Sequence, residues 1–492
     1  MIDYENASFV YNGSEEKNVQ SLNFTINRGE CILIVGRSGC GKTSLTRLLN
    51  GLIPSFYQGE LTGDVRINKS SVFKLPVYKI STMVGSVFQN PRTQFFNMDT
   101  DSEIAFGIEN LGVEENKLSD IVQNSYKDMS IEHLKGRNLL ELSGGEKQKI
   151  AFTSIYAMNP DIYVLDDPSS NLDSNAIDDM KRIMAFLKSQ GKTILISEHR
   201  LHYLVDLVDR VFYVADGRGI EEFTREEFLE MTESRRVSLG LRSTDIYKIS
   251  AAVKDKYDFD NSFMVDNLKA SYGKNMILKD VSFKADFGEC IGIVGRNGAG
   301  KTTLLRTICG LHREKGGIIK QDERVLKAKT RLKRSYLVMQ DVNYQLFADS
   351  VSEECTFGLE GIDKKEVFDV LKDLNLYEYR DKHPNTLSGG QKQRLAVATS
   401  LLSKKDILIF DEPTSGQDFD SMMKMAKLIE KLRSQGKLIF IVSHDYEFIS
   451  NTCTRILLLD KGIVKDDYHL SCKEAQKNLV SFFENGKGDS VS

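Results

Sequence analysis

Two stretches of this sequence carry residue types at a spacing suited to phosphate chemistry. Gly36-Arg37-Ser38-Gly39-Cys40-Gly41-Lys42-Thr43 and Gly295-Arg296-Asn297-Gly298-Ala299-Gly300-Lys301-Thr302 both fit the pattern G-x-x-x-x-G-K-[ST]. Such glycines let the backbone turn so that successive N–H groups face phosphate oxygens, and a helix starting there adds its partial positive charge. Lys42 and Lys301 are expected to reach the β- and γ-phosphates, with Ser44 and Thr303 also expected to bind the nucleotide. Thr43 and Thr302 would each offer a hydroxyl to Mg²⁺. Further on, IYVLDD (162–167) and ILIFDE (407–412) end apolar runs in carboxylates. Asp166 and Asp411 are the expected Mg²⁺ residues. Phosphoryl transfer also needs a group that orients the attacking water, and Glu412 fits that role. The first stretch has Asp167 there, one methylene shorter.

Each loop follows an apolar run, ILIV (32–35) or IGIV (291–294), and precedes a helix-like stretch. The runs IYVL (162–165), TILIS (193–197), ILIF (407–410) and LIFIVS (438–443) read as strands buried on both faces, as in a parallel α/β sheet. The chain is one domain written twice. Residues 21–52 recur as 280–311, and LSGGEKQKIA (142–151) recurs as LSGGQKQRLA (387–396), in register with Asp166 and Asp411 and with His199 and His444. We assign a first domain to 1–231, a charged, weakly periodic linker to 232–259, a second domain to 260–485 and a frayed tail to 486–492. The net charge of −4 gives no overall electrostatic case for nucleic acid. No apolar run is long enough to span a bilayer, and the start carries no secretory pattern. The seven cysteines are scattered without a C-x-x-C pair, as expected of a reduced cytosolic chain; Cys31 and Cys290 read as small buried hydrophobes.

LSGGE (142–146) and LSGGQ (387–391), together with the two phosphate loops, resemble the ATP-binding cassette (ABC) ATPases, whose signature is LSGGQ. The resemblance covers nearly the whole chain, twice. It implies an α/β fold of two P-loop NTPase (RecA-like) cassettes, each with a helical signature subdomain, packed head to tail as an intramolecular pseudo-dimer. ATP and Mg²⁺ would be the cofactors. Ser143-Gly144-Gly145 and Ser388-Gly389-Gly390 would cap the γ-phosphate of the opposite cassette's nucleotide. Gln89 and Gln340 fit the Mg²⁺-sensing Q-loop, His199 and His444 the switch histidine, and Tyr11 and Tyr272 the aromatic that stacks on adenine. Asp167 departs from the family's catalytic glutamate, so the first-cassette site is expected to turn over slowly.

VFQNPRTQFFNMDTDSEIAFGIENLG (87–112) resembles the energy-coupling factor (ECF) ATPases, with VMQDVNYQLFADSVSEECTFGLEG (338–361) a looser version. That resemblance implies the motor of a bacterial micronutrient importer at the cytoplasmic face of the cell membrane. Its partners would be a transmembrane coupling subunit and a substrate-binding membrane subunit, with the membrane reached only through them and no nucleic acid bound. The second copy lacks Asn-Pro after Gln340, so the two coupling surfaces are expected to differ. The alternatives are a tandem sugar-importer ATPase and a soluble tandem ABC ATPase acting on ribosomes or DNA.

Overall fold

The apolar runs become the innermost strands: Ile32, Leu33, Ile34 and Val35 have no exposed surface, and Cys31 and Cys290 are buried beside them. The computed structural model describes residues 1–13, 19–170, 172–215, 217, 219–249, 251, 254, 257, 259–359 and 361–485. The expected tail, 486–492, lies outside the described residues, as does part of the expected linker. The chain divides into two units, Met1–Asp245 with Asp418–Asp420, and Ile246–Gln417 with Ser421–Ser492.

In the first unit six strands form one sheet in the order Ile220–Thr224, Arg210–Val214, Cys31–Val35, Thr193–Ser197, Ile162–Asp166, Val84–Val87. All neighbours are parallel except the edge strand Ile220–Thr224, which runs antiparallel to Arg210–Val214. A second, antiparallel sheet is built from Val19–Ile26, Ile2–Tyr11, Gly59–Ile67 and Ser70–Ser71. The helix Lys42–Leu49 contributes Leu45, Leu48 and Leu49 to the core shared with both sheets. Three helices, Thr100–Asn110, Glu115–Asp128 and Gly144–Ala157, pack Ile104, Ile108, Val122, Tyr126 and Ile150 into the other core.

The second unit repeats this order with Ile463–His469, Arg455–Asp460, Cys290–Val294, Leu438–Val442, Ile407–Asp411 and Ser335–Val338. Here the antiparallel strands join the same sheet through the pairing of Asp280 with Ile463. The units differ after Gln89 and Gln340. Thr100–Asn110 is a three-turn helix with Gly107 inside it, whereas Val351–Glu354 is a single turn. The glycine equivalent to Gly107, Gly358, sits at φ 69°, a left-handed conformation that stops a helix.

The boundary read from composition and the boundary set by packing do not coincide. Residues 232–241 look like a linker because Glu233, Arg235 and Arg236 dominate them. They fold as a short helix, Glu233–Ser238, capped by the Thr232 hydroxyl, and Leu239 and Leu241 then enter the first unit's core alongside Phe228. Arg236 fastens the turn by donating to the Leu241 carbonyl and to Glu233. Each buried leucine stabilises by about 1.5–3 kcal/mol. A fragment ending at residue 231 is therefore expected to melt at least about 6 °C below one ending at residue 245, followed by circular dichroism. Equal melting temperatures would place 232–245 outside the first folding unit.

Candidate functional site

The phosphate loops sit where the central strands end. A Cβ built on Gly36 would lie 2.7 Å from the Val214 carbonyl, and one on Gly295 would lie 2.3 Å from that of Leu459, so only glycine lets the loop leave so close to the neighbouring strand. Gly41 and Gly300, at φ 105° and 104°, turn the chain into the helices that begin at Lys42 and Lys301. Ser38 and Gly39, like Asn297 and Gly298, are exposed on the loop, while Ser44 and Thr303 are buried in the helix behind it. Lys42 Nζ donates to the carbonyls of Gly36 and Arg37 at 2.9 Å each, and Lys301 Nζ to those of Gly295 and Arg296 at 2.6 and 3.1 Å. Both ammonium groups are thus held inside their loops.

The strand-end carboxylates lie under the loops. Thr43 Oγ1 is 3.4 Å from Asp166 Oδ1, and Thr302 Oγ1 is 3.1 Å from Asp411 Oδ2. Burial pushes both aspartates above the usual carboxylate range, against the hydroxyl hydrogen bonds that lower them. A hydroxyl beside a buried carboxylate is a hard-oxygen donor set, and it fits Mg²⁺.

Beyond Asp166 and Asp411 the two sites diverge. Glu412 Oε2 accepts from the His444 backbone N–H at 3.2 Å and from the Ser443 hydroxyl at 3.3 Å, and His444 Nε2 is 3.6 Å from Glu412 Oε1. Asp167 Oδ2 accepts from Gln89 Nε2 at 2.8 Å, and a side-chain hydrogen bond joins Asp167 to Glu198. Burial and the adjoining Glu198 carboxylate hold Asp167 well above its ordinary range. Burial and the Lys42 ammonium keep His199 well below the usual imidazole range. Gln340 is exposed two residues past its strand, in the place equivalent to Gln89.

The signatures are helix N-termini. Ser143 and Ser388 cap the helices Gly144–Ala157 and Gly389–Leu402 through capping boxes with Glu146 and Gln391. Gly144 and Gly145, like Gly389 and Gly390, therefore form first helical turns, whose N–H groups lack helical partners and suit an anion. Tyr11 is half-buried: its hydroxyl is 3.1 Å from Ser44 Oγ and accepts from Arg47 at 3.1 Å. Tyr272 is 48% exposed, with its ring 4.5 Å from that of His312.

The ABC transporter family profile matches residues 19–170 and 278–415. The chain belongs to the ABC transporter family. It is 46% identical over 489 residues to a "Putative ABC transporter ATP-binding protein" of Treponema denticola, covering 98% of this chain and 100% of that one. It is 30% identical over 499 residues to the "Putative HMP/thiamine import ATP-binding protein YkoD" of Bacillus subtilis, covering 95% and 91%. Among solved structures, archaeal ribosome recycling factor aABCE1, solved with ribosomal stalk protein aP1, superposes at a TM-score of 0.65 with 21% identity, over 97% of this chain and 92% of that one. That likeness is one of fold. The protein is an ABC ATPase, with ATP and Mg²⁺ as its nucleotide and metal.

Two sets of residues in this ABC ATPase escape a motif-based reading. Glu103 and Glu354 are buried acids whose Oε2 atoms accept from the backbone N–H groups of Phe96 and Asn97, and of Phe347 and Ala348, at 2.7–3.0 Å. They fix the turn after each Q-loop. Glu198 is the other: it stands where the second cassette has Ser443, a difference visible on aligning the halves. General-base groups contribute about 10²–10⁴-fold to rate. Glu412→Gln is therefore expected to remove at least about 100-fold of steady-state ATPase activity, and Asp167→Asn less than about threefold. Equal losses would make the two sites equivalent.

Proposed function

We propose that this ABC ATPase is the motor of an ECF-type importer, docking on a transmembrane coupling subunit that works with a substrate-binding membrane subunit. The observation that carries this reading is a pair of exposed aromatic patches beside the Q-loops. Phe96 is 75% exposed, with its ring stacked on that of Phe106 at 4.8 Å, and Phe347 and Phe357 are 68% and 63% exposed in the equivalent places. Exposed clustered aromatics on a rigid turn suit a partner's apolar helix. Phe95 and Leu346, between them and the Q-loop glutamines, pack inward instead. The import role printed in the name of the Bacillus subtilis relative agrees with this reading and not with a ribosomal one.

In this reading the loop N–H groups with Lys42 or Lys301 bind the β- and γ-phosphates. Thr43 with Asp166, and Thr302 with Asp411, hold Mg²⁺, which when bound neutralises charge on the phosphate oxygens. Gln89 and Gln340 connect that charge to the coupling surface. Glu412, aimed by Ser443 and the His444 backbone, polarises the attacking water and takes up its proton as the γ-phosphate leaves ADP. The signature turns, Ser143-Gly144-Gly145 and Ser388-Gly389-Gly390, each cap a γ-phosphate, and Tyr11 and Tyr272 border the adenine. The transported solute is chosen by the membrane subunit, a vitamin, a nucleobase-like precursor or a metal ion being the candidates.

Affinity capture of the tagged full chain from its own cells, followed by mass spectrometry, tests the assignment. Small multi-span membrane proteins are expected, and Phe96→Ser with Phe347→Ser should release them while leaving ATP binding within twofold. Recovery of ribosomal subunits, or membrane partners that survive the double substitution, would overturn it.

A further inference from the structure

Glu198, directly after the strand Thr193–Ser197, accepts four hydrogen bonds at the first cassette's site. Glu198 is 1% exposed. Its Oε1 accepts the backbone N–H groups of His199 at 2.7 Å and Arg200 at 3.1 Å. Its Oε2 accepts the Tyr203 hydroxyl at 2.7 Å and the Ser169 N–H at 3.2 Å. In the second cassette the same backbone donors are divided between two side chains. The His444 N–H goes to Glu412 at 3.2 Å, and the Asp445 N–H goes to the Ser443 hydroxyl at 3.1 Å. Phe448, which has no hydroxyl, is buried where the first cassette has Tyr203.

Three positions therefore change together between the halves: Asp167, Glu198 and Tyr203 against Glu412, Ser443 and Phe448. We propose that Glu198 is a positioning residue that keeps the first cassette slow, because its carboxylate takes the His199 N–H, the donor whose counterpart aims Glu412. Asp167 is left held by Gln89 and by the Glu198 carboxyl itself, not by the His199 N–H. Lengthening Asp167 alone cannot regain the aim, since the donor is already taken and Tyr203 holds the occupant in place. The proposal rests on the reading of Asp167 and Glu412 as water-polarising groups. A displacement of about 1 Å at such a group costs on the order of 100-fold in rate.

The test uses the full chain carrying Glu412→Gln, so that the remaining steady-state ATPase reports the first cassette. Asp167→Glu alone is expected to raise kcat by no more than about threefold. Asp167→Glu with Glu198→Ser is expected to raise kcat about tenfold or more, with KM for ATP within twofold. Asp167→Glu with Glu198→Gln, which keeps an acceptor on the His199 N–H, is expected to stay at the low rate. A gain with Asp167→Glu alone, an equal gain with the Gln variant, or no gain with the Ser variant overturns the proposal. So does loss of binding of a fluorescent ATP analogue in the Ser variant but not the Gln variant, which would make Glu198 a loop support. Asp167→Asn in the same background separates the two ideas. If it leaves the rate unchanged, the reading of Asp167 fails, and if it lowers the rate while the Ser variant shows no gain, the Glu198 proposal alone fails.

Discussion

Each cassette turns on one residue held in a conformation that a side chain disfavours. Asp167 sits at φ 48° and Glu412 at φ 53°, directly after the strands Ile162–Asp166 and Ile407–Asp411. A non-glycine residue there costs of order 1–3 kcal/mol. The strain is offset by a hydrogen bond that carries the parallel ladder one residue past the strand: Asp167 N to Ser197 O at 2.7 Å, and Glu412 N to Val442 O at 2.8 Å. The result is a carboxylate turned over the end of the neighbouring strand, in the second cassette 3.6 Å from His444 Nε2. The register that pairs Asp166 with Ser197 and Asp411 with Val442 is what makes the turn possible. A slip of one residue would send the acid to the opposite face of the sheet.

The signature motif also has a local physical cause. In S-x-x-E/Q the serine hydroxyl and the third residue's side chain satisfy each other's backbone N–H groups. Glu146 and Gln391 do this equally, with Ser143 N and Ser388 N each donating at 2.8 Å. The exchange of glutamate for glutamine between the halves is therefore neutral for the helix start and adds only a charge, which Arg137 faces at 3.3 Å. The glycines that follow leave the first-turn N–H groups unobstructed by side chains.

The phosphate loops, the fully buried strands and the doubled architecture were legible because each follows from a short-range rule. A glycine is needed where the Val214 and Leu459 carbonyls approach, and an unbroken apolar run is needed where both faces are covered. Tertiary features were harder to see. Glu233, Arg235 and Arg236 read as solvated charges until Leu239 and Leu241 are seen to dock behind them. Glu103, Glu354 and Glu198 are buried because backbone N–H groups converge on each from residues distant in sequence or in adjacent turns. Composition carries no trace of such convergence. The departure at Asp167 was visible, but its contact with Glu198 was not, since only the strand register brings the two together.

A mechanical connection within the first cassette follows from the same hydrogen bonds. Phe96 stands on a turn tied to Glu103, and the preceding Gln94 is stapled back to the strand, its amide donating to the Ser86 carbonyl at 3.1 Å. Three residues past Ser86, Gln89 donates to Asp167 at 2.8 Å. A push on the exposed aromatics cannot be absorbed inside the turn, because its backbone donors are already committed to a buried acid. The staple joins the turn to the strand end that carries Gln89. The second cassette keeps the staple, with Gln345 donating to the Leu337 carbonyl at 2.6 Å, and keeps the buried acid Glu354. Its carboxylate, however, is aimed by Ser443 and His444. The hydrogen-bonded chain therefore reaches the carboxylate in the first cassette, whereas Glu412 in the second is held by Ser443 and the His444 N–H. If a coupling subunit docks on these aromatics as proposed, such an arrangement would let the first cassette respond to that partner while the second keeps its carboxylate aimed.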